Sequence, residues 1–293
     1  MQRILITGAT GNVGLEVIKS LSTLNADLKV VAGVRNMEQD KKKLLPYKVS
    51  LVRFDFTDST SYRPALENCQ ILFLLRPPQI SNTKKYFKPL VNIAKEVGIQ
   101  HIIFLSVQGV EKSFIIPHHK IEKLIIDSKI PYTFLRPAYF MQNFSTTLHK
   151  DLVDKHAIFL PAGCAKFTLV DVQDVGAVAA RIIVALDTHV NKSYELTCSN
   201  KLTFKEMAET LSKGLGVKIN YQSPSLLLFY LTKRNEKVPS MFILVMIMLH
   251  YLPRFQKEPS VTDWIEKITG TLPTTFEKFI ADHKVILTSN HEN

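Results

Sequence analysis

The stretch ILITGATGNVG, residues 4–14, constrains this chain more than any other part of it. Its three glycines recur at three-residue intervals, between an apolar run and a segment with Val13, Val17, Leu21 and Leu24 at helical spacing. The order strand, tight turn, helix gives each glycine its own task. Gly8 turns the chain, Gly11 removes a side chain where a ligand meets backbone, and Gly14 lets the helix pack closely. The helix start adds N–H donors and the positive end of its dipole, a combination suited to a pyrophosphate. Gly8, Ala9, Thr10, Gly11, Asn12 and Val13 are therefore the candidate cradle of a dinucleotide. A structural turn with no ligand is the alternative.

The rest of the N-terminal half repeats a βαβ rhythm. RILIT, LKVVAGV, KVSLVRF, QILFLL, HIIFLS and YTFLR read as strands separated by helical segments. Near-continuous apolar strands are buried on both faces, which predicts a doubly wound parallel sheet of the Rossmann type in an α/β protein. The expected strand order is 3-2-1-4-5-6, with a ligand crevice outside the carboxyl ends of strands 1 and 4. After about residue 138 the pattern loosens into the short strands AIFLPA and KFTLV, the strong helix VQDVGAVAARIIVAL and a candidate edge strand SYELT. From Thr203 onward the sequence is mostly helical. The expected division is a dinucleotide-binding core over 1–150 and a mixed segment over 151–293 that returns to the core and forms a smaller, mostly helical substrate lobe folding back over the crevice, within a single domain overall.

The end of the second strand selects among dinucleotides. An NAD site places a carboxylate there for the ribose 2′-hydroxyl, but VVAGVRN ends in Arg35, whose planar donor fork suits a 2′-phosphate. Lys41, Lys42 and Lys43 add diffuse positive charge, so NADP(H) is the expected cofactor; a merely solvent-facing Arg35 is the alternative. After the third strand, the Asp55 carboxylate and the following Phe56 amide suit an adenine edge, although a turn aspartate reads equally well. Asp58 reads as a helix cap.

Composition excludes several other classes. With 293 residues and 46% hydrophobic residues, the chain can build a sizeable core. The opening apolar run is too short for a signal peptide. Met241–Leu249, MFILVMIML, falls well below the ~20 residues that cross a bilayer, and reads as a buried or pocket-lining helix. Cys69, Cys164 and Cys198 lack the spacing of a disulfide framework or zinc site, and no other metal site is expected. A cytoplasmic protein follows. The net charge of +11 is scattered in short groups with no aromatic-interleaved stripe, so solvated surface is expected rather than a nucleic-acid face. No membrane partner is expected, and the oligomeric state stays open.

These segments together resemble the short-chain dehydrogenase/reductase superfamily, in its atypical NmrA-like branch of NADPH-dependent quinone oxidoreductases, triphenylmethane reductases and NADP-sensing regulators. The resemblance rests on TGATGNVG, GVRN, FLLRPP, FLSVQGV, HHKIEKLIIDSKIPYTFLRPAYFMQN, TLVDVQDVGAVAA and ITGTLPTTFEKFI, which span most of the chain. It implies that Leu75, Arg76 and Pro77 pass beside the cofactor and that Ser106 and Val107 lie at the crevice floor. It also implies that the loop Pro137, Ala138, Tyr139, Phe140, Met141, Gln142, Asn143 borders the nicotinamide. Asp171 and Asp174 match signature positions that helix capping also explains.

The classical superfamily members carry a Tyr-xxx-Lys pair that protonates a carbonyl oxygen. Here Phe114 takes the tyrosine position and His118 the lysine position. Phe114 has no proton to give. His118 is the one candidate catalytic residue, as a weak acid or a ribose ligand, with a structural histidine as the alternative. The resemblance and the missing tyrosine imply an NADPH-dependent reductase of a quinone-like or conjugated acceptor, whose product anion needs no protein acid. Tyr139, Phe140, Met141 and the segment Phe242–Leu249 would complete its pocket. The alternative is a non-enzymatic NADP(H) sensor acting through a protein partner.

Overall fold

The computed structural model describes residues 1–24, 27–114 and 116–289. In chain order the first part runs β1 (Gln2–Ile6), α1 (Asn12–Thr23), β2 (Leu28–Val34), α2 (Met37–Leu44), β3 (Ser50–Arg53) and α3 (Tyr62–Leu66). It continues with β4 (Ile71–Leu75), α4 (Thr83–Glu96), β5 (His101–Leu105), α5 (Pro117–Ser128) and β6 (Tyr132–Pro137). Next come β7 (Tyr139–Phe140), α6 (His149–Lys155), β8 (Ala157–Phe159), β9 (Lys166–Val170), α7 (Val172–Val184) and β10 (Lys192–Leu196). The last part holds β11 (Lys201–Thr203), α8 (Phe204–Leu215), β12 (Asn220–Gln222), α9 (Leu226–Asn235), α10 (Ser240–Tyr251), α11 (Trp264–Thr269), α12 (Phe276–Asp282) and α13 (Lys284–Thr288).

Among the described residues, seven parallel strands form one sheet in the order β3-β2-β1-β4-β5-β6-β10. The order expected for the first six strands holds, and the order reverses between β1 and β4. The apolar strands explain the architecture: Ile4–Ile6, Ile71–Leu74 and His101–Leu105 are buried along their length, so both faces need helical cover. The candidate edge strand is β10, which pairs with β6 from Lys192 opposite Thr133 to Leu196 opposite Pro137.

The chain divides into two compact units, and the boundary is not at residue 150. One unit comprises Met1–Pro137, Val172–Leu196 and Asp263–Leu272; the other comprises Ala138–Asp171, Thr197–Thr262 and the segment from Pro273 onward. The returns of α7, β10 and α11 have a local cause. Helix α7 packs against α1 so closely that a Cβ on Gly176 would stand 2.7 Å from the Glu16 carbonyl carbon, and β10 extends the sheet. The part of the later segment that joins the sheet unit is thus Val172–Leu196 and Asp263–Leu272.

The second unit contains a three-stranded sheet ordered β11-β9-β7 and a parallel pair β8-β12. Its core gathers Phe144, Leu152, Ile158, Phe204, Phe229 and Phe279. Helix α8 carries a Thr203/Glu206 capping box and ends at Gly216 in the left-handed conformation. Helix α10 is not fully buried, which removes one of the two readings of MFILVMIML, a buried or a pocket-lining helix. Only Ile243, Met246 and His250 are buried in it, at one helical stripe, whereas Met241, Leu244, Met248 and Leu249 are exposed. A helix apolar on every side buries only the stripe that meets a neighbour.

Candidate cofactor and substrate site

The glycine loop of the sheet unit separates structural from ligand-facing positions. Gly8 has φ +61°, the left-handed region that glycine enters freely, and its carbonyl accepts from Gly11 N at 3.0 Å. Thr7 fixes the loop to β4, donating from Oγ1 to Phe73 O and accepting from Leu75 N at 2.9 Å. A Cβ on Gly14 would stand 2.2 Å from Gly8 O, so Gly14 is demanded by the turn itself. Gly11 is different: its backbone is extended at φ −81°, ψ 171°, and a Cβ there would meet only Gly8 O, at 3.3 Å. Ala9 and Val13 are buried beneath the loop, Gly11 and Asn12 are exposed and Thr10 is half-buried. Helix α1 starts with no side-chain cap and no carboxylate in its first turn, leaving its positive end for an external anion.

At the end of β2, Arg35 is exposed and forms no ion pair among the described residues. Its neighbour Asn36 caps α2 by accepting from Glu38 N and Gln39 N. Lys41, Lys42 and Lys43 lie in the last turn of that helix. Beyond β3, Asp55 Oδ1 accepts from Thr57 N at 2.7 Å and from Thr57 Oγ1 at 2.8 Å, the geometry of a turn aspartate. The Phe56 ring is buried edge-on to Phe54, which leaves its backbone as the part that can face a ligand. Asp58 caps the following turn through Thr60 N and pairs with Arg53 at 2.8 Å.

Past β4, Leu75, Arg76 and Pro77 are half-buried. Arg76 folds over its own turn, donating from one terminal nitrogen to the carbonyls of Pro77, Pro78 and Ile80, and from Nε to His118 Nε2 at 3.2 Å. His118 is half-buried; burial first, and then the Arg76 charge, push its pKa down to about 3. The ring is therefore neutral near pH 7, with Nε2 as acceptor and the proton on Nδ1. Helix α5, which carries His118, is pinned to β6 by the buried Glu122, held in a two-bond fork by Arg136 at 3.0 and 2.8 Å. Phe114 is 73% exposed and lies edge-on to His119. At the end of β5, Ser106 is 2% exposed and its Oγ has no hydrogen-bond partner among the described residues, while Val107 is half-buried. A buried hydroxyl without a protein partner leaves a bond that a ligand or a water can supply. Pro137 is buried, and its carbonyl accepts from Gln108 N.

The second unit holds the rest of the PAYFMQN loop. Ala138 is buried, and Tyr139 and Phe140 are half-buried where β7 pairs with β9. His250 Nδ1 lies 2.6 Å from Met246 O, so it carries the proton, and Nε2 accepts from the Tyr139 hydroxyl at 3.2 Å. Burial pushes His250 down to about 4 and raises the Tyr139 phenol, against a bond from Asn143 that lowers it. Phe167 and Phe204 pack edge-on to the Tyr139 ring. Buried Gln142 donates to Asp171 at 2.8 Å, and Met141 is buried. Asp174 sits in the first turn of α7.

A family model for NmrA-like proteins matches residues 1–279. The chain belongs to the NmrA-like family. Among its relatives, prestalk A differentiation protein A of Dictyostelium discoideum is 31% identical over 281 residues, covering 94% of this chain and 90% of that protein. Quinone oxidoreductase 2 of Escherichia coli is 30% identical over 226 residues, covering 76% and 78%. The triphenylmethane reductase of Citrobacter superposes with TM-score 0.84 at 24% identity over 97% of this chain and 100% of that one. The NADPH-dependent quinone oxidoreductase of Escherichia coli, solved with NADPH, gives 0.83 at 24% identity over 95% and 99%. At that identity the two structures speak to the fold. His250, bonded to Tyr139, is a group that the sequence reading did not place at the site. Its signal was a lone polar residue closing an apolar run, which reads as a boundary unless its partner Tyr139 is known.

Proposed function

We propose that this chain is an NADPH-dependent reductase of a quinone-like or otherwise conjugated small molecule. That it is an NAD(P)H-dependent reductase rests on its family and named relatives, which include quinone oxidoreductase 2, an NAD(P)H azoreductase and an uncharacterised oxidoreductase of Bacillus subtilis. The acceptor is the further step. The glycine loop, the uncapped start of α1 and the orphaned Ser106 Oγ fit a dinucleotide, and Arg35 suits its 2′-phosphate. NADPH supplies a hydride when bound.

One observation supports the acceptor class: the groups that the resemblance sets at the classical acid positions have no proton to offer there. Phe114 is a hydrocarbon, and His118 Nε2 accepts from Arg76 Nε at 3.2 Å, with burial and the Arg76 charge pushing its pKa down. A simple ketone would leave a strongly basic alkoxide that needs such an acid. A reduced quinone is left as a phenolate-type anion, with conjugate acid near ~10, and solvent completes its protonation. The residues bind, orient and exclude water. Free Cys69, Cys164 and Cys198 support a reducing compartment, the cytoplasm.

The test is NADPH oxidation across quinones, azo and triphenylmethane dyes and simple ketones, with cofactor binding measured in parallel. Turnover of the conjugated acceptors and none of the ketones is expected. Robust ketone turnover would overturn the acceptor class, and tight NADPH binding without any turnover would replace the reductase with a cofactor sensor.

A further inference from the structure

The outer face of α9 and α10 is apolar where a water-facing surface is normally polar. Met241, Leu244, Met248 and Leu252 recur at helical spacing opposite the buried stripe Ile243, Met246 and His250, and Met241 is 73% exposed. Leu227 and Leu231, one turn apart on α9, are also exposed, the first at 70%. This face is held outward by its own anchoring. On the inner side of α9, buried Lys233 pairs with Asp151 and with Glu236 at 2.8 Å, and Phe229 is fully buried. Exposed apolar side chains gathered on two helices that pack on each other mark an interaction site.

Charge names the partner. Arg234, Lys237, Arg254 and Lys257, on or just beyond the two helices, are exposed, while the acids of the same stretch are taken up: Glu236 is tied to Lys155 and Lys233, and Glu258, next to Lys257, to Lys166 and Lys201. The Arg254 guanidinium lies over the Tyr251 ring at 4.9 Å and that of Phe255 at 6.0 Å, a basic-aromatic border to the apolar face. A second copy would set this basic rim against itself. A surface that combines hydrocarbon with negative headgroups satisfies both features. No helix of the described residues is long and apolar enough to cross a membrane, so such an association is peripheral.

We propose that the α9–α10 face docks this protein onto anionic membrane surfaces, in place of the expectation that no membrane partner exists. The proposal stands apart from the reductase reading, because vesicle binding is measured without turnover.

The experiment is co-sedimentation of the full chain with vesicles of phosphatidylcholine alone and of equimolar phosphatidylcholine and phosphatidylserine. Binding to the anionic vesicles only, weakened by salt, is expected. The double variant Leu227→Glu/Leu231→Glu should lose about tenfold or more in vesicle affinity, and Arg234→Gln/Lys257→Gln about fivefold per charge. Both should bind NADPH as the parent does, which shows that they fold. Failure to bind either vesicle, or variants that bind like the parent, would overturn the proposal. So would sedimentation velocity showing a dimer that Leu227→Glu/Leu231→Glu dissociates.

Discussion

Gly11 and Gly14 belong to the same sequence motif, yet the structure gives them opposite reasons to be glycine, and one pair of alanine substitutions separates the two. At Gly14 a methyl group would lie 2.2 Å from Gly8 O and 2.8 Å from its carbonyl carbon, both backbone atoms of a turn already fixed by Thr7. Nothing there can swing aside. Gly14→Ala should therefore cost about 2–3 kcal/mol or more, at the upper end of overpacking penalties. At Gly11 the extended backbone suits any residue, and the one tight contact, Gly8 O at 3.3 Å, needs a shift of a few tenths of an ångström. The lower entropy of the unfolded alanine chain offsets that strain, so stability should stay within about 1 kcal/mol of the parent. On the proposed placement of the cofactor, the methyl group would nonetheless occupy the space through which a pyrophosphate would reach the N–H groups of α1. Loss of one or two charge-assisted bonds, about 1.5–3 kcal/mol each, predicts NADPH affinity at least tenfold lower. Denaturant unfolding and titration calorimetry of both variants are the assays. Gly11→Ala with parental stability and parental NADPH affinity would refute the placement of the cofactor, and a Gly14→Ala variant as stable as the parent would refute the steric account of the turn.

Arg35→Ala should weaken NADPH binding by about 1–3 kcal/mol and leave NADH nearly unchanged, because only the first carries a 2′-phosphate for the exposed guanidinium; equal losses for both in calorimetry would make Arg35 structural. Stability should fall as pH drops from about 6.5 to about 5. In that window the unfolded histidines take up protons, whereas His118, His101 and His250 stay neutral in the fold, pushed down to about 3, 4 and 4 by burial. His101→Gln should flatten the slope of the unfolding free energy against pH, and a parent protein equally stable at both ends of the window would contradict the buried neutral histidines.

The sheet was legible because each of its strands is an apolar run bounded by turn chemistry. Ile4–Ile6 and Ile71–Leu74 could be assigned without knowing their neighbours. The division of the chain was not, because it depends on long-range partners. Helix α7 was read correctly as a helix, but its packing on α1 through Gly176 appears in no local pattern, and neither does the pairing of Lys192–Leu196 with β6. MFILVMIML shows the limit from the other side: hydrophobicity all round a helix states that it can be buried, while burial depends on what surrounds it. The candidate site divides in the same way. Backbone-driven features, the glycine loop and the turn at Arg35, follow from sequence order. The Arg76–His118 and Tyr139–His250 bonds join residues 42 and 111 positions apart, beyond the reach of any motif.

The Arg76–His118 contact bears on the expectation, drawn from the resemblance, that His118 stands at the lysine position of a Tyr-xxx-Lys pair. In a Tyr-xxx-Lys pair the ammonium group makes the tyrosine a better donor. Here the permanent charge belongs to Arg76, whose guanidinium is held by three carbonyls of its own turn and by His118 Nε2. A positive charge at that distance opposes protonation of the imidazole, and burial opposes it further, so the two effects reinforce each other and keep the ring neutral. What survives at this end of β4 is a fixed cation beside a neutral ring. A fixed cation stabilises negative charge without transferring a proton and without titrating near neutral pH.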